Sequence, residues 1–205
     1  MVLLPSASDD FLPGIRRRHL EYGDYNLFFA QAHAEYVAKT IKPLIDARFH
    51  TKPLESFVIG SSLGGQAAFH LVLRYPALFS GAAALSPYFG PAIIEEIRKN
   101  GGSKLKDKRL YMDVGGDSDQ VTVPLIDIQD HMTATNFWNP GYFFLDTSLK
   151  SSCYAMKESL NLHDEVNIQF ELYPGARHNE RAWSKRIDRP LLHLLEGTEW
   201  SLQIN

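Results

Sequence analysis

Ser62 stands in Gly60-Ser61-Ser62-Leu63-Gly64, which fits the spacing G-x-S-x-G. That spacing suits a nucleophile on a turn so sharp that side chains two residues either side of the serine would collide. Gly60 and Gly64 are expected to remove that collision and leave the Ser62 hydroxyl exposed at the tip. A helix N-terminus beside it favours developing negative charge, and the N–H of Leu63 is a first donor for an oxyanion. The plainer alternative is a glycine-rich helix entry in which Ser61 or Ser62 only caps the helix.

A serine hydroxyl is a poor nucleophile until a base takes its proton. His178, in "YPGARHNERAW", follows the last strand-like segment directly and is placed for that task. His33, His70 and His193 fall inside helical segments, and His19, His50, His131 and His163 have no comparable strand-end setting. A third group must orient the imidazole and stabilise it once protonated, in the chain order Ser, acid, His. "YMDVGGDSDQ" offers Asp117 and Asp119 in a loop, with Asp113 inside the preceding strand. Asp119 is preferred because its distance from Gly116 gives the loop room to turn back, and Asp117 stays as the alternative. Such a trio would carry out acyl transfer through serine, with activity rising as His178 loses its proton near the free value of ~6.5.

The elements that must hold these groups alternate. "NLFFAQAHAEYVAKTIKPLIDARF" places Phe29, His33, Tyr36, Val37, Ile41, Leu44 and Ile45 near helical spacing,. "SFVIG" reads as a short buried strand, and "GGQAAFHLVLRYP" as a helix ended at Pro76. "GAAALS" is a strand, followed by the helix "PAIIEEIRKN" with two glycines past its end. "KRLYMDVGG" is a strand, "DTSLKSSCYAMKESLNLH" a helix and "EVNIQFELYPG" a strand. "NERAWSKRIDRPLLHLLEG" closes the chain as a helix kinked near Pro190. Strand and helix in alternation predict an α/β domain with a mostly parallel sheet covered by helices on both faces. The ligand site of such a sheet lies beyond the carboxyl ends of its strands, where each candidate above falls.

The chain has 205 residues, 44% of them hydrophobic, and a net charge of -3, which suits a single domain over residues 1–205 with a substantial core,. That balance argues against nucleic acid as a partner. The run Arg16-Arg17-Arg18 reads as a solvated or loop-anchoring face. A lone cysteine, Cys153, excludes an internal disulfide and reads as a buried, inert thiol,. No apolar run approaches a membrane span, and "MVLLPSASDD" lacks the positive leading segment of an export signal. A soluble cytoplasmic protein without a membrane partner is expected. H-E-x-x-H, paired cysteines and a P-loop are all missing from the sequence, so neither a metal nor a cofactor is implied,.

With these residues in place, the chain from Arg18 onward resembles the Putative esterase family of α/β-hydrolases. "RRRHLEY" resembles its arginine and Glu-Tyr loop, and "IGSSLGGQAAFHLVLRYPALFSGAAALSPYF" its elbow, helix and following strand. "DVGGDSD" is similar to its acid loop and "GARHNERAW" to its histidine loop. The resemblance implies an α/β-hydrolase fold and cleavage of a small-molecule carboxylic ester through an acyl-enzyme. Interception of that acyl-enzyme by an alcohol, giving acyl transfer, is the second expectation, and a non-catalytic binding domain the third. Tyr88 and Phe89 after one strand, and Trp138 in the long connection, are candidates for a substrate wall. "MVLLPSAS" resembles the end of the family's fourth strand, which implies an N-terminally truncated sheet without its third strand. An open edge of that kind invites self-association. The second oxyanion donor usually follows the third strand. An impaired hydrolase is therefore expected unless an upstream segment or a partner completes it.

Overall fold

Short apolar runs bounded by glycine, proline and serine become strands here, and the amphipathic stretches between them become helices. The computed structural model describes residues 1–4, 10–12, 15–115, 140–174, 176, 178 and 180–198. A small antiparallel hairpin of β1 (Asp10–Leu12) and β2 (Ile15–Arg16) leads into α1 (Arg17–Glu21). The next segment is helical throughout, as α2 (Phe28–Tyr36), a π-helical turn (Val37–Ile41) and α3 (Lys42–Arg48). Then come β3 (Phe57–Ser61), α4 (Leu63–Arg74), β4 (Gly81–Leu85), α5 (Pro91–Leu105) and β5 (Arg109–Val114). The chain continues with α6 (Pro140–Leu160), β6 (Ile168–Leu172), α7 (Glu180–Ser184) and α8 (Asp188–Leu195).

Strands β3, β4, β5 and β6 form one sheet in that order, every pair parallel. Because side chains alternate along a strand, the register divides the sheet into two unlike faces. Val58, Ala82, Ala84, Leu110, Met112, Ile168 and Phe170 share the main core with Phe69 and Val72 of α4, Ile93 and Ile97 of α5, and Met156 of α6. Ala83 and Tyr111 lie on the opposite face with Leu194 of α8, joined by Phe57 and Ile59. This is the α/β arrangement that alternation predicts, with helices on both faces. Strand β3 is an edge of the sheet, and no strand among the described residues pairs with its outer side.

Several local expectations change. In the first long helical segment the buried line runs through Ala30, Ala34, Val37 and Ala38, while Phe29, Tyr36 and Leu44 are exposed. Small residues let that segment approach the core closely, and the larger apolar side chains fall beside the contact. Gly101 and Gly102 do not follow α5 but lie within it. A side chain there would run into the His163 ring and the Glu165 carboxylate, so these glycines serve close approach rather than termination. The last helical stretch is two helices, broken at residues 185–187 ahead of Pro190, where Arg186 turns inward. Met1–Leu4 carry no strand. Cys153 is buried, with its Sγ 3.4 Å from the Pro87 carbonyl oxygen, and burial pushes its thiol pKa up. No helix among the described residues is long and apolar enough to cross a membrane.

Candidate active site

Ser62 sits at the step from β3 to α4 with φ 54° and ψ −127°. Non-glycine residues avoid that backbone region, and such strain persists only where surrounding contacts impose it. Those contacts are visible. The Ser62 N–H donates to the Leu85 carbonyl at 2.9 Å, tying the turn to the end of β4, and its own carbonyl accepts from the Gly65 N–H at 3.0 Å. A Cβ at Gly60 would fall well inside van der Waals contact of the Gly64 carbonyl. A Cβ at Gly64 would meet nothing within 4 Å. The collision expected from the motif is thus one-sided: Gly60 relieves it, and Gly64 does not. Gly65, just outside the motif, has the second steric role, because a Cβ there would press against Ala84 and Pro87 at 2.9 Å.

His178 follows β6 and reaches back across the ends of the strands, its Nε2 3.0 Å from Ser62 Oγ. The imidazole stands edge-on to Trp183 of α7, with ring centroids 5.0 Å apart and planes at 85°. Trp183 is buried, so α7 supports the histidine from behind. Leu63 is the first residue of α4, where an N–H has no acceptor within its own helix,. The structure therefore brings His178 to the turn that carries Ser62 and the Leu63 backbone, although the histidine lies 116 positions from the serine in sequence. Asp117, Asp119 and Trp138 lie outside the described residues. Tyr88 is half-buried in the turn after β4. Phe89 turns into the core against Phe69, with centroids 5.2 Å apart, and its N–H donates to Ser152 Oγ at 3.2 Å.

A buried polar network lies at the same rim, and spacing alone did not reveal it. Asp113, inside β5, is fully buried, and its carboxylate takes the fork of the equally buried Arg186. Arg186 Nε donates to Oδ2 and Nη2 to Oδ1, each at 3.0 Å. Nη2 also donates to Ser86 Oγ at 2.9 Å, and the Ser86 N–H donates to Asp113 Oδ1 at 3.0 Å. Ser86, the residue after β4, itself has a positive φ of 43°. Around this clamp, the Tyr111 hydroxyl lies 3.4 Å from Asp113 Oδ2 and 3.3 Å from Glu171 Oε2, and Tyr173 donates to the same Glu171 oxygen.

Burial drives the Asp113 carboxyl above the usual carboxylate range, and the Arg186 guanidinium opposes it. Burial also pushes Glu171 upward, but hydrogen bonds from Tyr173, Gln169 and Tyr111 outweigh it and hold Glu171 below its ordinary value. One signal in the sequence pointed here: a charged residue in the apolar run "RLYMDVG" must find a partner when the strand is buried,. Among the described residues, no group of three or more His, Cys, Asp or Glu is arranged to hold a metal ion.

Residues 26–194 match the family model described as Putative esterase. No protein of curated function matches the sequence. Among solved structures, an IroE-like serine hydrolase from Shewanella oneidensis superposes with a TM-score of 0.56 at 18% identity, covering 80% of this chain and 48% of that one. The siderophore hydrolase EstB from Aspergillus nidulans gives 0.57 at 19%, covering 83% and 60%. The capsule O-acetyltransferase of Neisseria meningitidis serogroup A gives 0.55 at 15%, covering 90% and 71%. The chain spans about half the length of the first two. At these identities the likeness is one of fold.

Proposed function

The chain belongs to the Putative esterase family, and we propose that it is a carboxylic ester hydrolase working through an acyl-enzyme on Ser62. The observation that carries this reading is the 3.0 Å approach of His178 Nε2 to Ser62 Oγ on a turn whose strain leaves the hydroxyl at its tip. In the reaction, Nε2 takes the hydroxyl proton as Oγ attacks the ester carbonyl. The oxyanion that forms accepts from the Leu63 N–H, at the end of a helix where positive partial charge gathers. His178 then passes the proton to the departing alkoxide, and a water activated by the same nitrogen releases the acid. Nδ1 must carry the other proton during attack. Asp119, or else Asp117, is the acid we assign to that nitrogen, and Tyr88 and Trp138 are the residues we assign to the substrate wall.

Acyl transfer is the second reading, supported by the fold shared with a capsule O-acetyltransferase. It differs only in which hydroxyl meets the acyl-enzyme. Turnover of an aryl acetate by wild type and Ser62→Ala tests the common step, and a competing alcohol in the same assay separates water from alcohol as acceptor. The Ser62→Ala variant should lose on the order of 10⁴-fold or more in rate. Equal turnover by the two proteins would overturn both readings. Folded wild-type protein that a fluorophosphonate leaves unlabelled would favour a binding domain instead.

A further inference from the structure

We infer that Arg186, clamped between Asp113 and Ser86, is a positioning residue for the Ser62–His178 pair, an inference that rests on the esterase reading for its kinetic arm. The guanidinium sits where three strand ends meet the segment that supports the histidine. Two of its donors fork onto Asp113 of β5, at 3.0 Å each, and one of these also reaches Ser86 Oγ at 2.9 Å, just past β4. Ser86 Oγ accepts in turn from the Gly115 N–H at 3.2 Å, so the clamp joins the ends of β4 and β5 on both sides. The guanidinium carbon lies over the ring of Tyr173, which follows β6, at 4.8 Å from its centroid.

From this clamp, one route of direct contacts leads to each reacting group. Leu85, adjacent to Ser86, holds the Ser62 N–H at 2.9 Å and thereby the strained turn. Trp183 accepts the Arg186 backbone N–H on its carbonyl at 3.1 Å, in the turn that carries the clamped side chain, and presents its ring to His178. If Arg186 shifts, the nucleophile's backbone and the base's support both shift, and by different paths. The distance between Oγ and Nε2 is the quantity so controlled.

The chemistry of the clamp favours this role over plain stabilisation. A buried ion pair repays little more than its own desolvation, and apolar residues of similar volume often hold a fold equally well. What an arginine fork adds is direction, since two parallel N–H···O bonds fix angle as well as distance. Acyl transfer through serine needs that fixity, because a misplacement of about 1 Å can cost 10²-fold in rate. The positive φ of Ser86 is a further strain spent at the same point,.

The test compares wild type with Asp113→Leu/Arg186→Met, which removes both charges together, and with the milder Ser86→Ala. Arg186→Met alone would strand a buried carboxylate and is expected to fold poorly. Three quantities are read on each: melting temperature, the rate of Ser62 labelling by a fluorophosphonate, and the His178 imidazole titration by nitrogen NMR. The double variant should melt near wild type yet label on the order of 10²-fold more slowly, with a displaced His178 titration. For Ser86→Ala, labelling should slow about tenfold. Wild-type labelling and wild-type titration in either folded variant would overturn the inference. Wild type that resists labelling, with the His178 titration still displaced in the variants, would sink the esterase reading and leave the positioning role standing. An undisplaced titration in that circumstance would sink both.

Discussion

The two faces of the sheet are built on opposite principles. On the face covered by α4, α5 and α6, Ala82, Ala84, Leu110 and Met112 meet Phe69, Ile93, Ile97 and Met156, all fully or almost fully buried. Shape decides everything there, to the point that Gly60 and Gly65 have no room for a methyl group. On the face toward α8, apolar packing is a small patch, and the carboxyl-terminal rim is occupied by Tyr111, Asp113, Glu171 and Arg186. Their hydrogen bonds must offset the cost of burying charge, which packing alone would never incur. The first face makes the strained turn that carries Ser62. The second aims what surrounds it. Stability and geometry are thus supplied from different sides of the same four strands.

The contrast can be broken by substitution, beginning with the largest effect. Gly60→Ala puts a Cβ into the Gly64 backbone, which can yield only by unwinding the first turn of α4. A loss above about 4 kcal/mol is expected, seen as failure to recover folded protein or as collapse of the urea midpoint. Phe69→Ala, in the apolar core, should cost about 3–5 kcal/mol in the same unfolding experiment,. The paired charge removal described above should change stability by no more than ~1 kcal/mol while damaging the reaction. If instead the Phe69 variant lost activity at full occupancy of the folded state, and the charge pair controlled only stability, the division between the faces would be wrong.

A smaller effect sharpens the comparison through pH. His70 of α4 is buried against Tyr25, and its Nε2 accepts from Arg74 Nε at 2.6 Å, so the ring is neutral with its proton on Nδ1. Burial, aided by the Arg74 charge, pushes its pKa down to about 3. The unfolded chain takes up that proton near ~6.5 and the folded chain does not. Stability is therefore fully present above that value and is lost as pH falls toward 3, by up to ~1.4 kcal/mol per unit. Melting temperature should fall as pH drops below ~6.5, and His70→Gln should make that fall shallower without abolishing it, because burial also holds His33 and His193 below their ordinary value,. The smallest effect lies at the elbow itself. Gly64→Ala meets open space, and alanine is the better helix former by roughly 0.5–1 kcal/mol, so a slight gain in melting temperature is expected,.

Much of this was legible from local pattern. The strands "SFVIG", "GAAALS" and "KRLYMDVGG" and the helices between them occupy the expected segments, because burial of a short run and helical periodicity are both written within a few residues. Ser62 and His178 stand out in the sequence as candidates for a related reason, since each follows a strand whose direction the alternation establishes, and the structure brings the two within 3.0 Å. Phe89 was not distinguishable from Tyr88, although one enters the core and the other stays half-buried, because adjacent residues after a strand diverge according to the packing partner on offer, here the Phe69 ring of α4. The glycines misled for the same cause. Gly64 belongs to a motif yet relieves no contact, whereas Gly101 and Gly102, placed like helix stops, lie inside a helix against His163 and Glu165.

What the amino-acid order determined by itself was the succession of elements, the tight turn at Gly60 to Ser62 and the histidine that follows the last strand, because each depends on neighbours along the chain. What only the tertiary structure decided was that Asp113 would find Arg186, that Ser86 would join them, and that the imidazole would come within 3.0 Å of the hydroxyl. Those partners are far apart in sequence and meet only after four parallel strands have lined up their ends. A buried carboxylate announces that it needs a counter-charge, but register and crossover connections choose which cation arrives.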